Sequence, residues 1–268
     1  MTTPTLVAAA GARALVTSRR GLPPGWGRPW ERTNHAGRAV TLLEGPAAVL
    51  GALAGVAATS HHRGPASAVV LVPGLLGALD DLVGDTATKG LRGHLAALRA
   101  GRVTTGALKV LGLGAVALVT AATEQRAGGP PSSRLGQTAV DTVVIAGTAN
   151  LVNLLDLRPG RALKVATAAG GLLLLPTRSR PLAGALVGTG AGLLPEDLAG
   201  ESMLGDCGAN ALGALLGLAL VRGLGPRGRL ATAATVTGLT LLSERVSFTR
   251  VIESTPVLRE LDAWGRPR

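Results

Sequence analysis

The 268-residue chain is nearly devoid of aromatic side chains: Tyr is absent, Phe occurs once (Phe248) and Trp three times (Trp26, Trp30, Trp264). Its net charge of +11 and pI near 11.5 would by themselves fit a nucleic-acid partner. Single-stranded nucleic acids, however, are bound by basic grooves interleaved with aromatic platforms. Here the Arg and Lys residues lie in short loops between apolar blocks, so nucleic acid is not an expected partner. Cysteine is equally scarce. Cys207 stands alone, which excludes an intramolecular disulfide and argues against a cysteine-based zinc site. Charged residues make up only 16% of the chain, well below the roughly 25% of a soluble domain.

What fills the sequence is apolar: 47% hydrophobic residues, 39 glycines and a mean hydropathy of +0.37. The apolar residues come in blocks separated by loops rich in Arg, Gly and Pro. That pattern predicts bilayer-crossing helices, because a segment in lipid must satisfy its own backbone hydrogen bonds. The blocks fall near 5–18, 40–58, 66–80, 106–122, 139–153, 162–176, 181–195, 207–222 and 229–243. The expected fold is therefore an all-α, polytopic transmembrane bundle of about nine spans (eight to ten), forming one integral membrane domain over 1–268. The abundant glycine suits close helix packing. No basic stretch precedes the apolar run at 5–16, and Arg13 interrupts it, so it reads as a weak first span or surface helix rather than a cleaved leader.

Basic residues predict the orientation. The loops near 19–39, 81–105, 154–164 and 196–206 and the tail 244–268 fall on one side, which collects about 19 of the 27 Lys and Arg. That side is expected to be cytoplasmic.

Polar residues are few enough that their positions carry information. Asp80 and Asp81 end the third block, in Gly77-Ala-Leu-Asp-Asp-Leu-Val-Gly-Asp85. Adjacent carboxylates at a membrane boundary need a cation or hydrogen-bond donors, or else water at an exposed helix end. Asn150, Asn153 and Asp156 repeat every three residues and so share one helical face. Such a stripe faces a cavity, or else forms a ladder of bonds to a neighbouring helix. Asp206, in Met203-Leu-Gly-Asp-Cys-Gly208, sits in a glycine turn at a helix start, suited to a metal or phosphate or to simple N-capping. All three elements are expected on the same side of the membrane, where they offer hard oxygen ligands for Mg²⁺.

Lysine points the same way. Where Arg outnumbers Lys by 24 to 3, Lys89, Lys109 and Lys164 all border these loops, as compact charges suited to phosphate. Asn34 and Asn210 border them too. His61 and His62 lie in an outer loop without a carboxylate nearby and read as solvated side chains. Cys207 reads as a small packing residue.

Asp80-Asp81, the run Asn150-x-x-Asn153-x-x-Asp156 and Met203-Leu-Gly-Asp-Cys-Gly208 resemble the signature loops of the polyprenyl-phosphate N-acetylhexosamine-1-phosphate transferases. Lys89-Gly-Leu-Arg-Gly-His94 through Thr104-Thr-Gly-Ala-Leu-Lys109 is similar to the loop after that family's Asp-Asp pair. The similarity runs over most of residues 34–215. It implies a bacterial plasma-membrane enzyme of envelope polysaccharide or peptidoglycan-precursor synthesis, with its active site on the cytoplasmic side.

By the same resemblance, a polyprenyl phosphate and a UDP-amino sugar are the substrates, UMP is the leaving product, Mg²⁺ is the cofactor and a homodimer is expected. The resemblance makes Asp206 a metal ligand, with Asp80 beside it. Asp80 or Asp81 positions or deprotonates the lipid phosphate. Asp156 and Asn153 hold the nucleotide and the active-site loops, and Lys89 offsets phosphate charge. Asn150, Lys109 and Asn210 join them as substrate-binding candidates. The chain departs from the family in two places. Pro159 stands where a second Asp is usual in Asp156-Leu-Arg-Pro-Gly160, and no histidine follows His94. In the last loop, Ser243–Arg250, Arg245 and Arg250 are suited to a nucleotide or diphosphate, or else belong to a basic membrane-flanking tail. A family-fold protein that binds the lipid or a nucleotide without transferring sugar is the alternative.

Overall fold

The computed structural model describes residues 2–267 except 22, 24, 35–36, 60–62, 85–92, 94–98, 102–103 and 125–130. Eleven α-helices dominate it. In chain order they are α1 (Thr3–Ser18), α2 (Glu44–Ala57), α3 (Arg63–Val83), α4 (Thr105–Glu124), α5 (Pro131–Leu155), α6 (Arg161–Leu172), α7 (Arg180–Leu198), α8 (Gly205–Gly223), α9 (Pro226–Ser243), α10 (Phe248–Ser254) and α11 (Pro256–Ala263). A hairpin of β1 (Glu31–Thr33) and β2 (Ala39–Thr41) precedes α2, pairing Arg32 with Val40. The fold is all-α, as expected.

Among the described residues three helices are long and apolar enough to cross a membrane: α3, α4 and the Ser133–Leu155 stretch of α5. Their outward faces are as apolar as their inward ones. On α3, Val69 and Val70 are buried while Leu71, Leu75 and Leu79 are exposed; on α4, Leu113 and Ala117 are buried while Leu111, Leu118 and Val119 are exposed. A helix apolar all round belongs in lipid or in a core, and these faces have no core over them. The expected second and sixth blocks come out shorter. Residues 40 and 41 belong to β2, which leaves 14 residues in α2, roughly 21 Å at 1.5 Å per residue. Helix α6 ends at Leu172, and turns take over before Pro176, which cannot continue a helix.

Helix α8 is the axis of the bundle. It packs against α3 and α5 on one side and α2 and α7 on the other, with α1 and α6 beyond α7 and α9 against α5. Small residues permit this. A Cβ at Gly213 would lie 2.7 Å from the Ala149 Cα, and one at Gly217 2.6 Å from the Ile145 Cα. Two glycines four apart thus let α8 and α5 meet backbone to backbone, where packing rather than hydrophobic transfer holds membrane helices together.

The hairpin sets the entry to α8. The Thr41 N–H donates to the Glu201 carbonyl at 3.3 Å, and the Met203 N–H to the Thr41 carbonyl at 3.1 Å. The segment before α8 therefore extends the hairpin and delivers Gly205 and Asp206 to a fixed place.

Candidate active site at the start of α8

Four helix termini meet where α8 begins: the ends of α3 and α5 and the starts of α4 and α8. The approach is closest at Gly77, where a Cβ would fall 2.2 Å from the Asp206 carbonyl oxygen. Only glycine lets α3 run this close, and the contact brings Asp80 and Asp81, one turn further on, to the α8 terminus.

Asp81 caps that terminus. Its Oδ1 accepts the Asp206 N–H at 3.0 Å and its Oδ2 the Cys207 N–H at 2.9 Å. The Asp156 Oδ2 accepts the Gly205 N–H at 2.8 Å. Three amides that a helix start leaves without intrahelical partners are thus held by two carboxylates, both favoured by the positive end of the helix dipole. Gly205 has φ +60°, and a Cβ there would meet the Asp81 carboxylate at 2.8 Å. The glycine is required by both conformation and space.

Asp80 and Asp206 do something different: they converge on one cation. The Lys109 ammonium donates to the Asp80 Oδ2 at 2.7 Å and also to the Asp206 Oδ2. The Thr105 hydroxyl donates to the other oxygen of Asp80. The lysine comes from the first turn of α4, so α3, α4 and α8 each contribute one charged group to a single cluster.

A cavity of about 270 Å³ opens at Asp156, and neither Lys109 nor Asp80 nor Asp206 lines it. Asn34, Val40, Asp156, Arg158, Pro159 and Met203 line it, from the hairpin, the α5–α6 turn and the approach to α8. Asp156 is its link to the helix start. Burial pushes the Asp156 carboxyl well above the usual carboxylate range, and nearby Asp197 pushes it further.

The turn carrying Asp156 is fixed from α7. Gly160, at φ +71°, donates its N–H to the Asp197 Oδ1 at 3.0 Å. Asp197 is 1% exposed, and burial raises its carboxyl to about 7. No motif singles out Asp197 or Glu44, which is also buried and accepts the Ser202 hydroxyl. Glu44 is a lone acid near the start of an apolar block, and Asp197 directly follows Glu196 at the end of another.

The remaining candidates divide. Asn150 donates to the Thr240 hydroxyl on α9 at 3.2 Å, the interhelical bond that is one of the two expectations for the stripe. Asn153 is half-buried one turn before Asp156. Asn210 is buried and returns its side-chain N–H to the Asp206 carbonyl at 2.7 Å, supporting the first turn of α8. Lys164 donates to the carbonyls of Leu261, Asp262 and Trp264 and so closes the end of α11. Cys207 is buried, as a packing residue should be. Lys89, His61, His62 and His94 lie outside the described residues.

The donor set suits a hard divalent ion. No group of three or more His, Cys, Asp and Glu side chains among the described residues is arranged to hold a metal. Mg²⁺ needs fewer, since it takes one or two carboxylates together with substrate phosphates and water. Asp80 and Asp206 supply two carboxylates aimed at one cation position, and the Lys109 ammonium is the stand-in ion there. Comparison of the chain with protein-family models and with curated proteins finds no match.

Proposed function

We propose that the protein transfers a sugar-1-phosphate of the N-acetylhexosamine type from a UDP-sugar to polyprenyl phosphate at a membrane surface, releasing UMP. The observation that carries this reading is the convergence of Asp80, Lys109 and Asp206 at the start of α8. Two carboxylates and an ammonium at a helix N-terminus form a place for a diphosphate and its counter-ion. In the reading's full form, α1 to α9 are nine spans of a bacterial plasma-membrane bundle. The start of α8 then faces the cytoplasm, because the loops on that side are the richer in Lys and Arg.

In the reaction an oxygen of the lipid phosphate forms a bond to the β-phosphorus of the UDP-sugar. The bond from that phosphorus to the bridging oxygen breaks, and UMP leaves with the electron pair. A phosphate monoester has its second pKa near 6, so the nucleophile is already largely dianionic at pH 7. Positioning and charge therefore matter more than a general base. Asp80 and Asp206 would hold Mg²⁺, which supplies charge neutralisation to the diphosphate. Lys109 binds phosphate oxygens. Asp81 and Asp156 keep the α8 amides in place, and the cavity lined by Asn34, Arg158 and Met203 receives the nucleoside end.

A second reading has its own support. Asp81 and Asp156 engage backbone amides at the start of α8, so a protein that binds lipid phosphate or nucleotide without catalysis would keep both for structural reasons. Pro159 and the lack of histidine after His94 favour the same reading. The two separate in one assay of purified protein with undecaprenyl phosphate, Mg²⁺ and a panel of UDP-amino sugars. UMP release that chelation abolishes is the expected result. Lipid binding with no UMP from any donor would establish the non-catalytic protein instead.

A further inference from the structure

Lys109 stands where a metal ion would. Its ammonium is shared between carboxylates from two other helices, α3 and α8, and all three side chains are largely buried, at 17% exposure for Lys109, 18% for Asp80 and 25% for Asp206. In so shielded a place the two carboxylates repel unless a cation lies between them. The lysine satisfies that need from within the chain. It also makes the position costly for a free metal ion to take, because the displaced ammonium would give up two charge-assisted bonds at once.

A diphosphate changes the balance. It brings new negative charge to a spot where one ammonium already faces two carboxylates. It also offers oxygens to which the ammonium can move on its flexible four-carbon stem. The carboxylates are then free for a divalent ion, which wants one or two carboxylates plus phosphate oxygens. Asp81 stays out of this exchange, since both of its oxygens hold the α8 amides. The shortfall of positive charge is therefore largest when a diphosphate is present.

We propose that Lys109 is an internal counter-ion that keeps the Asp80–Asp206 position closed to divalent metal until a diphosphate-bearing ligand draws the ammonium onto its phosphates. Metal binding thereby becomes conditional on the diphosphate. This rests on the reading of the site as a metal–diphosphate centre, and it adds the order of events there. By linkage, the ligand raises metal affinity by the same factor as metal raises ligand affinity.

The test is a titration of Mn²⁺ into the purified, detergent-solubilised chain, followed by the loss of the free-ion electron-spin-resonance signal. It is run alone, with UDP and with UMP, which lacks the second phosphate. For the wild type, UDP should tighten Mn²⁺ binding at least ~10-fold and UMP much less. Lys109→Gln should bind Mn²⁺ without any nucleotide at least ~10-fold more tightly than wild type, as expected when a neighbouring cation is removed from a shielded site. Lys109→Arg, which keeps the charge, should stay near wild type. Circular dichroism confirms that each variant is folded, and Lys109→Met, which retains the packing of the stem, replaces Gln if Gln does not fold.

Equal Mn²⁺ affinity of wild type and Lys109→Gln in the absence of UDP, with UDP still tightening both, overturns the counter-ion role and leaves the metal–diphosphate site standing. No Mn²⁺ binding by any form, with or without UDP, overturns the site itself.

Discussion

The two ends of the bundle treat charge in opposite ways. At the end away from the site, two arginines each meet an acid of a neighbouring helix. Arg222, at the end of α8, grips Glu124, at the end of α4, through two bonds of 3.0 and 2.6 Å. Arg229, at the start of α9, reaches Asp141 of α5 at 2.7 Å. The planar guanidinium is always charged and forks onto a carboxylate, so such pairs tie helices together without inviting a third party. At the start of α8, by contrast, Asp80 and Asp206 share a single ammonium, and two further carboxylates lean on backbone amides. The Arg222–Glu124 pair at one end is saturated, and the Asp80–Lys109–Asp206 cluster at the other is not. Unsatisfied local demands of this kind are where function is expected to reside.

The sharpest way to break this contrast is to remove one charged group from each end. Asp206→Asn keeps the shape of the side chain while removing the charge that faces Lys109. UMP release should fall by about 10²–10³-fold, the usual loss when one preorganised electrostatic contact to a transferring group disappears. The helical circular dichroism should stay unchanged. A variant that released UMP at the wild-type rate would show that the unsaturated end is not the site of chemistry. Arg222→Ala, at the saturated end, should do the reverse. Removing one partner of a half-shielded, doubly bonded pair should lower stability by about 1–3 kcal/mol, read as an earlier midpoint in thermal unfolding in detergent, with UMP release per folded molecule unchanged.

Much of this contrast can be read from the chain itself, for reasons tied to particular residues. Asp80, Asp81 and Asp206 are polar residues at the rims of apolar blocks, where a charge without a role is costly, and so their positions alone attract notice. Lys109 is noticeable because Arg is the default cation elsewhere. The pairing of Lys109 with both acids is not legible. It depends on Gly77 letting α3 approach α8, a contact between residues far apart in sequence. The hairpin is also hidden. Val40 and Thr41 look like the start of an apolar helix, yet they pair with Arg32 and Glu31 because Asn34 and Gly37 close a turn, with Gly37 at φ +75°. The Asn150 side chain is partnered by Thr240, and no spacing rule distinguishes that bond from one to a ligand.

Asp197 is the subtlest case, and it offers the finest test of the division between the two ends. It lies at the site end, fixes Gly160 and hence the turn bearing Asp156, yet touches neither Lys109 nor the α8 amides. Burial raises its carboxyl to about 7, above the ordinary aspartate value near 3.9. The folded protein therefore holds this proton over a range in which the unfolded chain has already lost it. Between about pH 4 and pH 7 the native state binds more protons than the unfolded state, so stability falls as the pH rises. The contribution is fully present below about pH 4 and is lost once the pH passes about 7. Asp197→Asn can still accept the Gly160 N–H but carries no charge to bury. It should match wild type in thermal unfolding near pH 5 and become the more stable of the two at pH 8, by on the order of 1 kcal/mol. An equal difference between variant and wild type at both pH values would mean that Asp197 is not the proton-holding group. UMP release should change little at either pH if the Asp156 turn stays in place, because the group that titrates here shapes the wall of the cavity rather than the cation position.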